Sequence, residues 1–183
     1  MRPARTHRST SPFALLLTLA LFGPATPSAI AQDRESTSPS FVSSVLKGVA
    51  LDPTTYAPAL ITYNATLGDW NSSQVFFAHG FIEGNSRFTV SGFANDFPVS
   101  YDEGANRILV DAFGNLRRSL VNNVSSRIVE HFLLKRFPNH PRAVKTLGWI
   151  QRTAIASYTT YIWSEPHWHQ WRTNNRMAQQ LGY

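Results

Sequence analysis

The chain has 183 residues, of which 13% are aromatic, and it contains no cysteine. The absence of cysteine excludes a disulfide-stabilised scaffold, so we expect a hydrophobic core to hold the fold, which a chain of this length can supply. The formal net charge is +6. Three of the basic residues lie within the first eight positions, so the rest of the chain carries only +3. This small excess argues against a nucleic-acid partner, which usually requires a concentrated basic face.

The first 31 residues have the pattern of a cleavable secretory signal peptide. Arg2, Arg5 and Arg8 are followed by an apolar run over residues 13–23 and then by Ala29-Ile30-Ala31, an A-x-A cleavage pattern. The run is well short of the roughly 20 apolar residues that span a bilayer. We therefore expect export across the cytoplasmic membrane, to the periplasm or the extracellular space. An uncleaved membrane anchor is the alternative.

The rest of the chain divides into a short leader and one domain. Residues 32–40 are polar and rich in serine, which predicts a disordered leader. Residues 41–183 show no internal repeat and no linker, so they are predicted to form a single helical domain. They also hold no uninterrupted apolar stretch of the length that a transmembrane helix needs, so no such segment is expected in the mature chain.

The first half of the domain predicts short helices. Residues 41–47 suit a short opening helix. Asp52-Pro53 is a helix-start signal, with aspartate as the N-cap and proline at the first helical position, although Pro58 would move the start a few residues later. We expect the following helix to break at residues 69–73 and to resume for one or two turns.

Residues 80–102 are the least regular stretch. They contain several glycines together with Pro98 and a number of Asn and Asp residues, as turns and loops do. This composition predicts an irregular loop or a small β-hairpin insertion. Long loops inside small domains often carry function.

The second half predicts two long helices. Over residues 104–137 the apolar positions recur every three or four residues, which predicts an amphipathic helix with these positions as its core face. They are Ile108, Leu109, Ala112, Phe113, Leu116, Leu120, Val124, Ile128, Phe132 and Leu133. A second helix starts near Pro141, meets a kink or a new start at Pro166, and ends before Gly182. Because the connection between them is short, the two are predicted to be antiparallel neighbours.

These elements predict a mainly α fold. The expected architecture is a compact antiparallel helical domain of four to six helices, with one irregular loop or small β-hairpin near residues 80–102.

Three residues of the irregular region are candidates for catalysis. His79 and Glu83 flank a glycine-rich bend, and a histidine near a carboxylate suits general acid–base catalysis or half of a metal site. Asp96 lies in the loop, where no helix start needs it as a cap. The alternative is a histidine at a helix end and a surface ion pair between Glu83 and Arg87.

The aromatic cluster near the C-terminus is the candidate binding region. On a helix, His167 and His169 point in different directions, so no shared metal is predicted there, and no cofactor is predicted elsewhere. Trp163, His167 and Trp171 recur every four residues and so form one aromatic, basic face. Such a face suits carbohydrate stacking, a partner groove or a membrane interface, and core packing is the alternative. The candidate binding residues are Trp163, His167, Trp168, Trp171 and Arg172.

Three hypotheses for function follow. The chain lacks the common nucleophile, nucleotide and metalloprotease motifs, so the first is an exported binding or structural protein whose partner is unknown. The second is an exported hydrolase-type or metal-assisted enzyme using His79, Glu83 and Asp96, joined by His167 or His169. The third is a protein attached peripherally to a membrane or envelope surface through its aromatic C-terminal helix.

Overall fold

A computed structural model describes residues 39–183 of the chain. The predicted signal peptide, residues 1–31, and residues 32–38 of the predicted leader lie outside the described residues. The described part contains four α-helices, which confirms the mainly helical fold class. They are α1 (Pro39–Ala50), α2 (Ala57–Ala78), α3 (Tyr101–Arg136) and α4 (Pro141–Leu181). Residues Ser43–Tyr183 form one compact unit.

The segment before α2 begins with the predicted aspartate cap and proline. Asp52 accepts hydrogen bonds from the Thr54 amide (3.1 Å) and hydroxyl (2.7 Å), and it caps a short 3₁₀ turn, Pro53–Thr55. Pro58 then lies in the first turn of α2, where its missing N–H would have had no helical partner.

The predicted break at residues 69–73 is wrong, because α2 runs through it to Ala78. The hydroxyls of Ser72 and Ser73 donate back to the Asp69 carbonyl (2.9 and 3.0 Å), so they are satisfied within the helix. Trp70 is buried, and its Nε1 donates to the Tyr101 carbonyl (3.1 Å) at the start of α3. This packing outweighs the weak helix propensity of the serines.

An irregular loop joins α2 to α3. Its chain is held by two isolated backbone bridges, between Glu83 and Asp96 and between Thr89 and Pro98. Residues 79–100 contain no β-strand, so the β-hairpin alternative is not supported. The side chains of Phe88 and Val99 leave the loop to join Trp70 and Ile108 in the main hydrophobic cluster.

The two long helices are antiparallel neighbours, as contacts along their length show. From one end to the other, Glu130 of α3 meets Arg152, Ser126 meets Gln151, and Arg118 meets Trp163. α4 is continuous through Pro166 and ends at Gly182, which adopts a left-handed conformation (φ 77°). No helix within residues 39–183 is long and apolar enough to cross a membrane.

The predicted core face of α3 is only partly correct. Five of its ten positions are half-buried: Ala112, Leu116, Val124, Ile128 and Leu133. Of the apolar stripe, only Ile108 is buried, while Leu109, Phe113, Leu120 and Phe132 are exposed. The buried positions of α3 are Gly104, Ile108, Asn115, Asn123, Ser126 and Glu130. From Asn115 to Glu130, the buried positions of α3 carry hydrogen-bonded polar side chains. The pairing of these side chains with the other helices, rather than hydrophobic periodicity, determines which side of α3 faces inward there.

Candidate functional site

A cavity of about 440 Å³ opens between α2, the loop that follows it and α4. Five aromatic rings contribute to its walls, together with at least as many polar residues. The rings belong to Trp70, Phe76, Phe77, Phe81 and Phe88. Among its polar lining residues are Asp69, Glu83 and His167, and none of the described residues that line it is a lysine or an arginine. A concave lining that combines apolar and aromatic side chains with convergent polar groups is typical of a small-ligand site.

The central polar contact of this cavity joins α2 to α4. Nδ1 of His167 lies 2.8 Å from Oδ2 of Asp69. Because an ionised carboxylate only accepts hydrogen bonds, Nδ1 carries the proton, and Nε2 is the nitrogen left for another group. Asn174 supports the arrangement by donating to the hydroxyls of Ser72 (3.1 Å) and Ser73 (2.9 Å). The ring of His167 is therefore held in one orientation beside the cavity.

Glu83 brings a second carboxyl group to the cavity from the loop. Its Oε1 accepts a hydrogen bond from the Asn85 amide (2.7 Å), and its backbone pairs with that of Asp96. Burial raises the pKa of Glu83, and the negative charge of Asp69 adds to this effect, whereas the Asn85 amide opposes it. A raised pKa in a carboxyl group that lines a cavity marks a candidate functional group.

The structure places only one of the three predicted catalytic residues, Glu83, at the cavity. His79 caps the end of α2, with Nδ1 2.7 Å from the Val75 carbonyl, and its ring stacks on Tyr183 with 3.7 Å between centroids. The side chain of Asp96 is turned toward Ser91, and hydrogen bonds from Ser91 and from the Phe97 backbone lower its pKa. The three side chains therefore do not line one cavity, and their catalytic role stays a prediction.

Three of the predicted binding residues do face α2 together. The ring of Trp171 packs on Gly68 of α2. Trp163 lines a second cavity of about 350 Å³, where the Arg118 guanidinium lies 5.7 Å from its ring centroid. His167 lines both cavities, so it is the predicted binding residue most directly placed at a site.

The other two predicted binding residues lie on the outside of α4. Trp168 and Arg172 are both exposed, and Nε of Arg172 donates to the Trp168 carbonyl (3.2 Å). Neither lines one of the two cavities. Within residues 39–183, no three His, Asp or Glu side chains are grouped as metal ligands would be.

Asp69 is the functional candidate that the sequence analysis missed. It is the only charged residue of α2. A lone carboxylate in an otherwise uncharged helix requires a partner when the helix is buried, and this signal could have identified it. Its partners, His167 and Asn174, lie about 100 residues later in the chain, and no local pattern connects them.

A separate buried cluster of four charged groups ties the helices together at the other end of α2. Asp52 Oδ2 accepts from Nε of Arg152 (2.9 Å) and from Arg127 (3.1 Å). Glu130 accepts from the other side of Arg152 (2.9 Å). Burial alone would raise the pKa of Asp52, but hydrogen bonds from Thr54 and the two arginine charges outweigh it and lower the pKa. The two acids and two bases balance, and they line neither cavity, so we assign the cluster a structural role.

Comparison with protein-family models, with curated proteins and with solved structures finds no match. The fold and the site therefore define only the general class of protein to which the chain belongs. It is a mainly helical domain with a partly aromatic cavity that carries a His–Asp pair and a half-buried carboxyl group. Function has to be inferred from that site.

Proposed function

We propose that the chain is an exported binding protein for a small ligand that joins an apolar body to a cationic group. The observation that carries this proposal is the lining of the 440 Å³ cavity. It combines five aromatic residues with Asp69 and Glu83, and no described lysine or arginine lines it. Export is supported by the basic and apolar pattern of residues 1–31.

The cavity lining favours a cation for two physical reasons. Aromatic faces attract an ammonium group through the ring quadrupole, by about 0.5–2 kcal/mol depending on desolvation. Glu83 is partly buried, and burial raises its pKa more than the backbone hydrogen bonds from Asn85 and Gly84 lower it, with no cationic partner among the groups that shift it. A bound ammonium group near Glu83 would supply that partner and lower the pKa. An anionic ligand would instead meet two carboxyl groups.

Three phenyl compounds of similar size test this preference: phenethylammonium, 2-phenylethanol and phenylacetate. Isothermal titration at pH 7 should show the ammonium ion binding at least about tenfold more tightly than the alcohol, a difference of ~1.4 kcal/mol. Phenylacetate should bind most weakly. Equal affinities for the three, or tighter binding of phenylacetate, would exclude the proposed ligand class.

Two matched variants test whether the carboxyl group of Glu83 causes the preference for the ammonium ion. Glu83→Gln should reduce the preference for the ammonium ion over the alcohol. Asp96→Asn removes a carboxyl group from the same loop, but its side chain does not line the cavity, so the preference should stay as in the wild type. If both variants lose the preference equally, the overall negative charge of the loop is responsible, and not the cavity.

An acid–base enzyme is the second candidate function, because one observation specifically favours it. Asp69 orients His167 beside the same cavity that holds Glu83 with its raised pKa, an arrangement that can separate a base from an acid. Mass spectrometry of a bound ligand after prolonged incubation distinguishes the two. Unchanged ligand supports a binding protein. Conversion that is lost in His167→Gln supports an enzyme.

A further inference from the structure

The outer side of the first half of α4 is apolar and uncovered. Leu147, Ile150, Tyr158, Tyr161 and Ile162 are between 43% and 64% exposed. Monomeric soluble proteins seldom expose a large contiguous apolar patch, and such a patch usually marks an interaction surface.

Exposed charge is absent from this part of α4. Between Thr146 and Ser164 the only charged residue is Arg152. Its side chain is 3% exposed and is held inside the bundle by Asp52 and Glu130. The helix therefore keeps its one charge inside and presents apolar groups outside, the reverse of an ordinary surface helix.

These apolar residues form one stripe. Leu147, Ile150, Ala154, Tyr158 and Tyr161 follow one another at intervals of three and four, so they project from the same side of the helix. Large side chains stand toward both ends of the stripe, and the small Ala154 stands at its middle. A small residue between larger ones lets a second helix approach closely at that point.

We propose that this stripe is the interface of a homodimer in which the α4 helices of two copies pack antiparallel and cross near Ala154. About this centre Leu147 meets the partner's Tyr161, and Ile150 lies close to the partner's Tyr158. The surface is thus complementary to itself, as a two-fold interface requires.

The charges at the ends of the stripe favour the antiparallel arrangement. Arg142 and Lys145 precede the stripe, and Glu165 follows it. Antiparallel packing keeps the basic residues of the two copies at opposite ends of the interface. Parallel packing would bring like charges together.

The exposed area is sufficient for a dimer. A half-exposed side chain of this size presents on the order of 100 Å². Leu147, Ile150, Ile155, Tyr158, Tyr161 and Ile162 together offer roughly 600 Å² per copy. Two copies would bury about 1,200 Å², at the lower end of the range for specific interfaces. A lipid surface fits less well, because interfacial helices usually carry lysine and arginine beside the apolar face.

The first test is the oligomeric state of the protein purified from expressing cells, measured by sedimentation equilibrium. We expect a dimer, and Tyr158→Arg should convert it to a monomer without loss of helical circular dichroism. The matched control is Phe93→Arg, which places the same charge on an exposed aromatic position of the loop and should leave the dimer intact. Dimers that survive Tyr158→Arg would overturn the proposal.

The second test uses the absence of cysteine from the chain, which makes single-cysteine variants free of background. Under mild oxidation, Ala154→Cys should form a disulfide-linked dimer. Leu147→Cys and Tyr161→Cys should each stay unlinked alone and should form a linked dimer when the two proteins are mixed. Linkage of Leu147→Cys to itself would indicate parallel packing and contradict the antiparallel model.

Two further results would overturn the homodimer altogether. One is a wild-type monomer at about 100 μM, far above the micromolar Kd at the weak end for specific interfaces. The other is a monomer that co-sediments with vesicles of phosphatidylglycerol and phosphatidylethanolamine and loses this binding in Tyr158→Arg. The stripe would then face a lipid surface.

Discussion

At the scale of single residues, Arg152 makes the contacts on which the stability of the helix bundle depends most. Its guanidinium group bonds to Asp52 on one side and to Glu130 on the other, and all three side chains are buried. Burying charges costs several kcal/mol for each ion, and only the mutual pairing offsets that cost. The cluster therefore makes the packing of the helices specific, since it forms only when the 3₁₀ turn before α2, the C-terminal third of α3 and the first half of α4 are in register.

Replacing Arg152 should be strongly destabilising. Arg152→Met keeps the length of the side chain but leaves Asp52 and Glu130 with only Arg127 nearby. We expect the free energy of unfolding to fall by about 3–5 kcal/mol. Urea denaturation followed by circular dichroism measures this directly.

Arg87 provides the matched control for this prediction. It makes a bidentate ion pair with Asp111, and both side chains are about half exposed. Arg87→Met should therefore cost no more than ~1 kcal/mol. Similar losses in the two variants would show that burial does not set the energy of these pairs.

At the scale of elements, the contact of α2 with α3 depends on a glycine. The buried ring of Trp70 lies directly against Gly104, and a Cβ at that position would overlap the indole. Trp70 also stacks on Phe88 of the loop with 5.2 Å between ring centroids, so it has little room to move aside. Gly104 therefore sets the distance between the two helices.

Two alanine substitutions in α3 test this close approach. Gly104→Ala should destabilise the protein by about 1–3 kcal/mol through overpacking. Gly114→Ala lies in the same helix and meets nothing within 4 Å, so it should instead stabilise by roughly 0.5–1 kcal/mol through the gain in helix propensity. Thermal unfolding of the two variants measures whether each substitution stabilises or destabilises the protein. Stabilisation by both substitutions would mean that helix propensity outweighs the Trp70 contact.

The predictions for the elements succeeded where the determining interactions are local. The end at Gly182 depends on neighbours in the chain and is confirmed, and Asp52 and Pro53 start a 3₁₀ turn just before α2 begins at Ala57. The expected break at residues 69–73 failed because Trp70 is buried against a helix 30 residues later. Hydrophobic periodicity also misassigned part of the inward face of α3, which Asn123 and Glu130 occupy instead.

At the scale of the whole molecule, Asp52 links three helices, so its ionisation couples the bundle to pH. The folded state lowers the pKa of Asp52 below its ordinary value of 3.8. This contribution to stability is complete above pH 3.8 and is lost as the pH falls through the lower, folded-state pKa. We expect the free energy of unfolding to decrease with acidification in that window. Asp52→Asn should be less stable at pH 7 and should lack this part of the slope.

Glu83 should make stability change with pH in the opposite direction. Its pKa is raised above the ordinary 4.5, so the folded state holds the proton more tightly than the unfolded state. Stability should fall as the pH rises from 4.5 through the folded-state pKa, and Glu83→Gln should remove that fall. Urea unfolding at a series of pH values separates the two contributions. A slope that is unchanged in Glu83→Gln would show that the group is solvated.

The sequence by itself determined the helical class, the positions of most helix ends and the irregular loop between two helical regions. Caps, prolines and glycines act through bonds within a few residues, so these features are readable locally. Only the tertiary structure decided which faces are buried, which residues share a cavity and which charges are paired. His167 meets Asp69, and Arg152 meets Asp52, across about 100 residues. Such pairs depend on how whole helices align, and the free energy of that alignment is shared among many contacts rather than being encoded in any one segment.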